Sequence, residues 1–349
     1  MSKSSRIRVK FVSHGRPALW LHQLPHGEPF LGNCHFLFDR EERDYDWLVV
    51  YEHVSPAAGQ RKNSAYERLA CAREHTLFVT AEPSSIKFYG HDFTAQFGAI
   101  LTSQEDWALP HPRRIHSQAG LHWFYGIAGP EPIPFDRIAA NVPENKTHLL
   151  SMVYSPKRMR HTMHNQRNAC MRRFVQQMPE LTTFGRTMTP LRDKSAALNE
   201  FRYHIALENH IGEHHWTEKL ADAFLGLTLP FYAGCPNASD YFPADSFVPI
   251  DMRDPDQAIE TIRRAIADNE YEKRLPAIRE ARRRVLYEHN LFAVLSREIG
   301  RMHDETPASA DALIYSRYAL RRRRPGTRLA DAFGKLHLRY LQWRRRQRN

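Results

Sequence analysis

The sequence predicts an α/β protein of two Rossmann-like domains facing each other across a cleft, followed by a basic amphipathic helix. Three observations lead there. Strand-like runs alternate with helix-like runs in both halves of the chain. A Pro-rich stretch, Glu131 to Asn145, reads as the linker between them, and positive charge collects after Arg317. With 349 residues, 42% of them hydrophobic, the chain can bury more than one core. The expected divisions are residues 1–140, 146–300 and 311–349.

In chain order, Ile7 to Val12, Trp47 to Tyr51, Leu77 to Thr80 and Phe97 to Thr102 are strand candidates rich in Val, Ile, Phe and Tyr. Ser64 to Arg73 reads as a helix with Leu69 and Ala70 inward. In an open parallel sheet the working residues stand where strands end. Glu82 is in such a place, after LFVTA and before Pro83, which stops strand pairing. A carboxylate there can act as a general base if partial burial raises its proton affinity; a solvated loop Glu is the plain alternative. Trp107 to Pro112 and Gln118 to Tyr125 gather aromatic, His and Arg residues in loops, which suits either sugar stacking or a core.

The second alternation opens with a strand at Leu149 to Tyr154, a basic loop at Ser155 to Arg160 and a helix at Asn165 to Met178. Arg167, near that helix's start, suits an anionic leaving group; a surface Arg is the alternative. Thr182 to Gly185 reads as a short strand, and Pro190 to Glu200 as loop and helix. Phe201 to Gly234 then packs strand, loop, helix and strand into one unit. Tyr203 to Leu207 is the strand, with Glu208 and Asn209 at its end. Thr217 caps a helix that carries Leu220, Ala223 and Phe224 on one face, and Gly226 stops it. The free N–H groups of that helix start, with Lys219 in its first turn, form a phosphate site. Leu229 to Ala233 and Phe247 to Ile250 are further strands; Asp256 to Asn269 and Glu272 to Glu288 are charged amphipathic helices.

Composition narrows the class. Mean hydropathy is −0.59, and neither a signal peptide nor a long apolar span is evident, so a cytoplasmic chain is expected. Cys34, Cys71, Cys170 and Cys235 are scattered, which argues against a disulfide framework or a zinc site and for buried thiols. Asp254-Pro255-Asp256 looks like a metal-holding DxD but precedes a helix, where Asp and Pro are ordinary. His210, His214 and His215 lack metal-ligand spacing. The chain carries 50 basic and 39 acidic residues, net +11. Twelve of those cations and one acid, Asp331, lie from Arg317 onward, so the body is balanced. Leu329, Phe333, Leu336, Tyr340 and Trp343 recur there at spacings of three and four, an amphipathic helix of the interfacial membrane kind. Nucleic-acid binding, an acidic partner and simple packing are its alternatives.

Ala206-Leu207-Glu208-Asn209, Thr217-Glu218-Lys219 and Leu229-Pro230-Phe231-Tyr232-Ala233-Gly234, in that order, resemble the donor-binding signature of the α1,3/4-fucosyltransferases, glycosyltransferase family 10. Ser246-Phe247-Val248, Arg167-Asn168-Ala169 and Thr80-Ala81-Glu82 are similar to further elements of that family, and the resemblance covers roughly Leu77 to Leu295. It implies a GT-B fold, with the first domain taking the acceptor and the second the donor, and inverting transfer of fucose from GDP-fucose without an essential metal. It also implies that Arg167 and Lys219 hold the pyrophosphate, Glu218 accepts hydrogen bonds from donor hydroxyls, Asn209 orients the donor and Glu82 deprotonates the acceptor.

His215 stands where the family often has Tyr, Trp216 where a small aliphatic is usual, and Leu207 where Phe is common. His215 can donate a hydrogen bond beside the sugar, and another GDP-sugar stays open as donor. The basic tail is similar to that of some bacterial members. A bacterial enzyme at the inner face of the cytoplasmic membrane is therefore expected, acting on an oligosaccharide, lipid-linked glycan or lipopolysaccharide acceptor. Activity in the presence of EDTA follows from this expectation. A GT-B enzyme with another nucleotide sugar is the first alternative function; a non-enzymatic nucleic-acid binder, which accounts only for the tail, is the second.

Overall fold

The computed structural model of the chain describes residues 6–118, 122–129, 131–154, 163–185, 188–308 and 312–346. Two units form, each around an open parallel sheet. One holds Met1–Pro17, Glu28–Gly120 and Phe292–Asn349; the other holds Ala18–Gly27 and Leu121–Leu291. Each unit is thus assembled from separate stretches, unlike the continuous divisions expected from composition.

The first unit begins with β1 (Ile7–Val12). After the short helix α1 (Ala18–Leu21) of the second unit come β2 (Phe30–Leu31), β3 (Cys34–Leu37), β4 (Trp47–Tyr51), β5 (Tyr66–Arg68), β6 (Thr76–Val79), helix α2 (His91–Thr94), β7 (Ala99–Thr102) and β8 (Arg114–His116). The sheet order is β2-β3-β1-β4-β6-β7-β8, parallel throughout except that β2 runs against β3. Trp47, Leu48, Val49 and Val50 are all fully buried, the pattern of a central parallel strand covered on both faces. The chain winds outward from β1 to β3 and then restarts at β4 on the other side of β1. That reversal is where such sheets open a crevice at their carboxyl ends.

In the second unit, α3 (Phe135–Ala140) precedes β9 (His148–Val153), α4 (His164–Gln177), β10 (Leu181–Phe184), β11 (Phe201–Leu207), α5 (Glu218–Leu225), β12 (Leu229–Ala233), β13 (Val248–Pro249), α6 (Pro255–Ala267) and α7 (Glu270–Tyr287). The order β10-β9-β11-β12-β13, all parallel, again reverses direction, here between β9 and β11. Thr217 caps α5 by accepting from the Lys219 N–H, and Asp254 caps α6 by accepting from the Gln257 N–H. Asp254-Pro255-Asp256 is therefore a helix start. The chain then passes through α8 (Leu291–Met302), β14 (Leu313–Tyr315), α9 (Arg317–Arg323) and α10 (Pro325–Arg346). All four cysteines are free and buried.

Two expectations are corrected. Ser64 to Arg73 is not a helix: Tyr66–Arg68 pairs with Leu313–Tyr315 as an antiparallel ribbon. Glu67, 1% exposed, turns inward to meet Lys10 Nζ at 2.8 Å, Lys10 being fully buried. A partner 57 residues away overrides the local helical spacing. Nor is Glu131 to Asn145 a free linker, because Phe135 and Ile138, three apart on α3, are buried in the second unit's core. The basic loop Ser155 to Arg160 lies outside the described residues.

Candidate functional site

β11 delivers its last apolar residue, Leu207, and then a carboxylate, Glu208, that is fully buried. The Glu208 N–H still bonds the Ala233 carbonyl at 2.8 Å, so the residue stands at the sheet's carboxyl edge beside the strand reversal. Gly234 makes room for it. A Cβ there would come within 2.4 Å of Glu208 Cγ and of the Tyr232 hydroxyl. The Glu208 carboxylate takes the Thr217 N–H at 2.9 Å and the Thr217 hydroxyl at 2.8 Å, which ties the strand end to the start of α5. Lys219 Nζ lies 3.2 Å from Glu208 Oε2 and 3.0 Å from Glu218 Oε1.

Burial works against the Lys219 ammonium, but the Glu208 and Glu218 carboxylates outweigh it and hold its pKa above the ordinary value. Burial would likewise raise the Glu218 pKa, yet Lys219 and Lys194 keep it below the ordinary value. Both groups are therefore ionised. Arg167, on the first turns of α4, is 6% exposed. Burial lowers its pKa and the charges of Glu208 and Glu218 draw it back up. Its Nε has no hydrogen-bond partner. The Asn209 side-chain oxygen is also buried without a partner. Buried polar groups are ordinarily partnered, so Arg167 Nε and the Asn209 oxygen are candidate ligand contacts.

The remaining residues of this loop divide between core and rim. Trp216 is 2% exposed and packs edge-on against Tyr241, Phe242 and His289, so it belongs to the core. His215 is 3% exposed and meets His210 ring-to-edge at 5.1 Å. His214 adopts a left-handed backbone with φ of 60° and is held by Asn237 and by the Tyr241 hydroxyl at 2.6 Å. A cavity of about 450 Å³ opens at the carboxyl ends of β12 and β13, walled by Tyr232, Phe247 and Met252 with Asp251 and Arg253 among its polar groups.

Glu82 lies in the first unit, three residues beyond β6, and is half-buried. Its backbone N–H is 3.3 Å from Glu52 Oε1, and its carbonyl accepts from Gln104 Nε2 at 2.8 Å. Sequence reasoning passed over Glu52, and it passed over Lys194 and Asp222. Asp222 is fully buried, 2.8 Å from Lys194, and accepts the N–H groups of Phe124 and Tyr125; burial pushes its pKa up to about 6 against the pull of Lys194. Asp222 lies across α5 from the Leu220, Ala223 and Phe224 face, where an acid reads as solvated, and only the burial of the whole helix reveals it.

Residues 143–273 match the model of the family described as glycosyltransferase family 10 (fucosyltransferase), C-terminal part. The chain is similar to the α-(1,3)-fucosyltransferase FucT of Helicobacter pylori, 32% identical over 74 residues, 21% of this chain and 16% of that protein. The match thus spans less than a fifth of that relative's length. Among solved structures, a crystal structure of an α1,3-fucosyltransferase aligns with 17% identity, covering 88% of this chain and 93% of that one, with a TM-score of 0.48. A structure of an α1,3-fucosyltransferase with GDP-fucose aligns with 15% identity over 88% and 94%, with a TM-score of 0.46.

Proposed function

We propose that this chain is an inverting α1,3/4-fucosyltransferase of the GT-B class that moves fucose from GDP-fucose to a hydroxyl of a glycan. The observation that carries the reading is the family match over residues 143–273, within which Glu208, Thr217, Glu218 and Lys219 form one connected polar cluster beside Arg167. Glu208, Glu218, Lys219 and Arg167 sum to zero formal charge, so an incoming diphosphate needs further donors. The start of α5 supplies N–H groups, and Arg167 supplies a guanidinium not committed to an ion pair at Nε. As the glycosyl carbon becomes cationic, negative charge builds on the departing diphosphate, and Arg167 and Lys219 stabilise it. Glu218 accepts from the sugar hydroxyls, Asn209 orients the donor through its unpartnered oxygen, and His215 lies beside the sugar. Tyr232 and Phe247 offer the planar base an apolar wall. Glu82 takes the proton from the acceptor hydroxyl as its oxygen attacks.

A panel of nucleotide sugars tests the donor. GDP-fucose should bind and be consumed; its failure beside success of another nucleotide sugar would overturn the fucosyl reading in favour of a different donor. Lys219→Ala should raise the KM for the donor roughly 30-fold or more, since one partner of a desolvated charge pair is lost. It should also cost about 3 kcal/mol of stability by leaving Glu208 buried with less compensation, read as a lower denaturation midpoint.

The tail acts at a lipid surface in the same reading. Among the described residues no helix is long and apolar enough to cross a membrane. α10 instead buries Thr327, Asp331 and Leu338 against the first unit, where Asp331 pairs with Arg321 and Arg345 stands over Trp107. Its other face exposes Leu329 (64%), Phe333 (70%), Leu336 (62%), Tyr340 (52%) and Trp343 (59%). Arg328, Lys335, Arg339 and Arg344 flank that stripe and are exposed. Apolar residues ringed by cations fit an anionic bilayer surface better than a nucleic acid, which would leave the stripe in water. The acceptor is then a lipid-linked or lipopolysaccharide glycan at the inner face of the bacterial cytoplasmic membrane. Phe333→Ser/Trp343→Ser should weaken binding to vesicles containing phosphatidylglycerol by roughly tenfold or more without changing turnover of a soluble acceptor. Unchanged co-sedimentation would refute the lipid surface.

A further inference from the structure

We propose that Glu52 is a positioning residue that, together with Gln104, clamps the peptide of Glu82 and so aims the base. The inference rests on the reading of Glu82 as that base. Glu52 follows β4 at the reversal point of the first sheet. Its φ is +67°, in the left-handed region that a non-glycine residue seldom occupies. The His53 N–H bonds back to the Tyr51 carbonyl at 2.7 Å, closing a tight three-residue turn around Glu52, while the Glu52 N–H bonds the Val79 carbonyl at 2.9 Å. Such a conformation persists where surrounding contacts over-determine it, and those contacts cluster at functional sites.

The turn drives the carboxylate under the Glu82 loop. Oε1 accepts from the Ala81 N–H at 2.5 Å, from the Glu82 N–H at 3.3 Å and from the Tyr89 hydroxyl; Oε2 pairs with Lys87 Nζ. Tyr89 is fully buried, and the Glu52 side chain is only 13% exposed. From the opposite side, Gln104, 2% exposed, donates Nε2 to the carbonyls of Glu82 at 2.8 Å and Lys87 at 3.0 Å. The N–H and the C=O of Glu82 are thus gripped by residues anchored to the ends of two different strands, β4 and β7. A surface carboxylate needs no such fixture. A base that must meet one hydroxyl of an acceptor does, because small displacements of a catalytic group cost rate steeply.

The test is a double-mutant cycle in steady-state kinetics with GDP-fucose and a soluble acceptor. Glu52→Ala should lower kcat about 30-fold, an effect of the size expected from misplacing a catalytic group, with the donor KM within about twofold of wild type. Glu52→Gln keeps an acceptor oxygen for the Ala81 N–H and should recover part of that loss. In a Glu82→Gln background, Glu52→Ala should lower kcat no further, whereas a loss of general structural integrity would add. If Glu52→Ala does not fold, Gln104→Ala probes the other side of the peptide with the same expected pattern. Wild-type kcat in a folded Glu52→Ala or Gln104→Ala protein overturns the clamp, as does an undiminished loss in the Glu82→Gln background. Should Glu82→Gln itself turn over GDP-fucose like wild type, the assignment of Glu82 falls and the clamp falls with it.

Discussion

Arg167→Met should lower kcat/KM for GDP-fucose by about 10²- to 10³-fold, the loss expected when one preorganised charge opposite a developing anion is removed. It should do so without lowering the melting temperature. Arg167 is 6% exposed, burial disfavours its charge, and its Nε has no partner, so the free protein bears a desolvation cost that the shorter, uncharged methionine would relieve. Lys219 behaves oppositely, because it neutralises a fully buried Glu208 and its loss should harm folding and binding together. Thermal melts with and without GDP separate the two. GDP should raise the midpoint of the wild type and leave that of Arg167→Met where it was. A large fall in the Arg167→Met midpoint without ligand would mean that the guanidinium is structural.

The second large effect is expected at Glu82. Glu82→Gln retains the size and hydrogen-bonding reach of the side chain but cannot take a proton at working pH. Its kcat should fall by roughly 10²- to 10⁴-fold, the range that general-base catalysis supplies. GDP binding by calorimetry should be unchanged, since Arg167, Glu218 and Lys219, the residues proposed to hold the donor, belong to the other unit. Wild-type turnover in Glu82→Gln would remove the base from this residue, and a matching loss of GDP affinity would make it a donor ligand instead.

The local structure of the candidate site was legible because its signals are short-range. Thr217 as cap, Gly226 as stop and Lys219 in the first turn of α5 are consequences of local backbone chemistry, and the structure has all three. The parallel strands were legible for a similar reason: runs such as Trp47 to Tyr51 are apolar on both faces. Short strands were not. Cys34–Leu37 and Arg114–His116 have only four and three residues, too few to show a period, although Gly32-Asn33 and Pro112 stand before them. Trp216, standing where a small aliphatic is usual in the resembling family, is core, because its neighbours are Tyr241, Phe242 and His289.

The sequence by itself therefore determined the longer strands and helices, their order and the identity of the charged residues at strand ends and helix starts. Only the tertiary structure decided who meets whom. Lys10 finds Glu67, the Glu82 peptide finds Glu52 and Gln104, and Glu208 holds the start of α5. α10 shows the division most plainly. Its apolar stripe was visible in the spacing of Leu329, Phe333, Leu336, Tyr340 and Trp343, but that spacing says nothing about cover. In the fold, Thr327, Asp331 and Leu338 turn inward and the stripe faces out. Periodicity belongs to one segment and burial to a pair of surfaces, so the second surface has to be present before the first can be read.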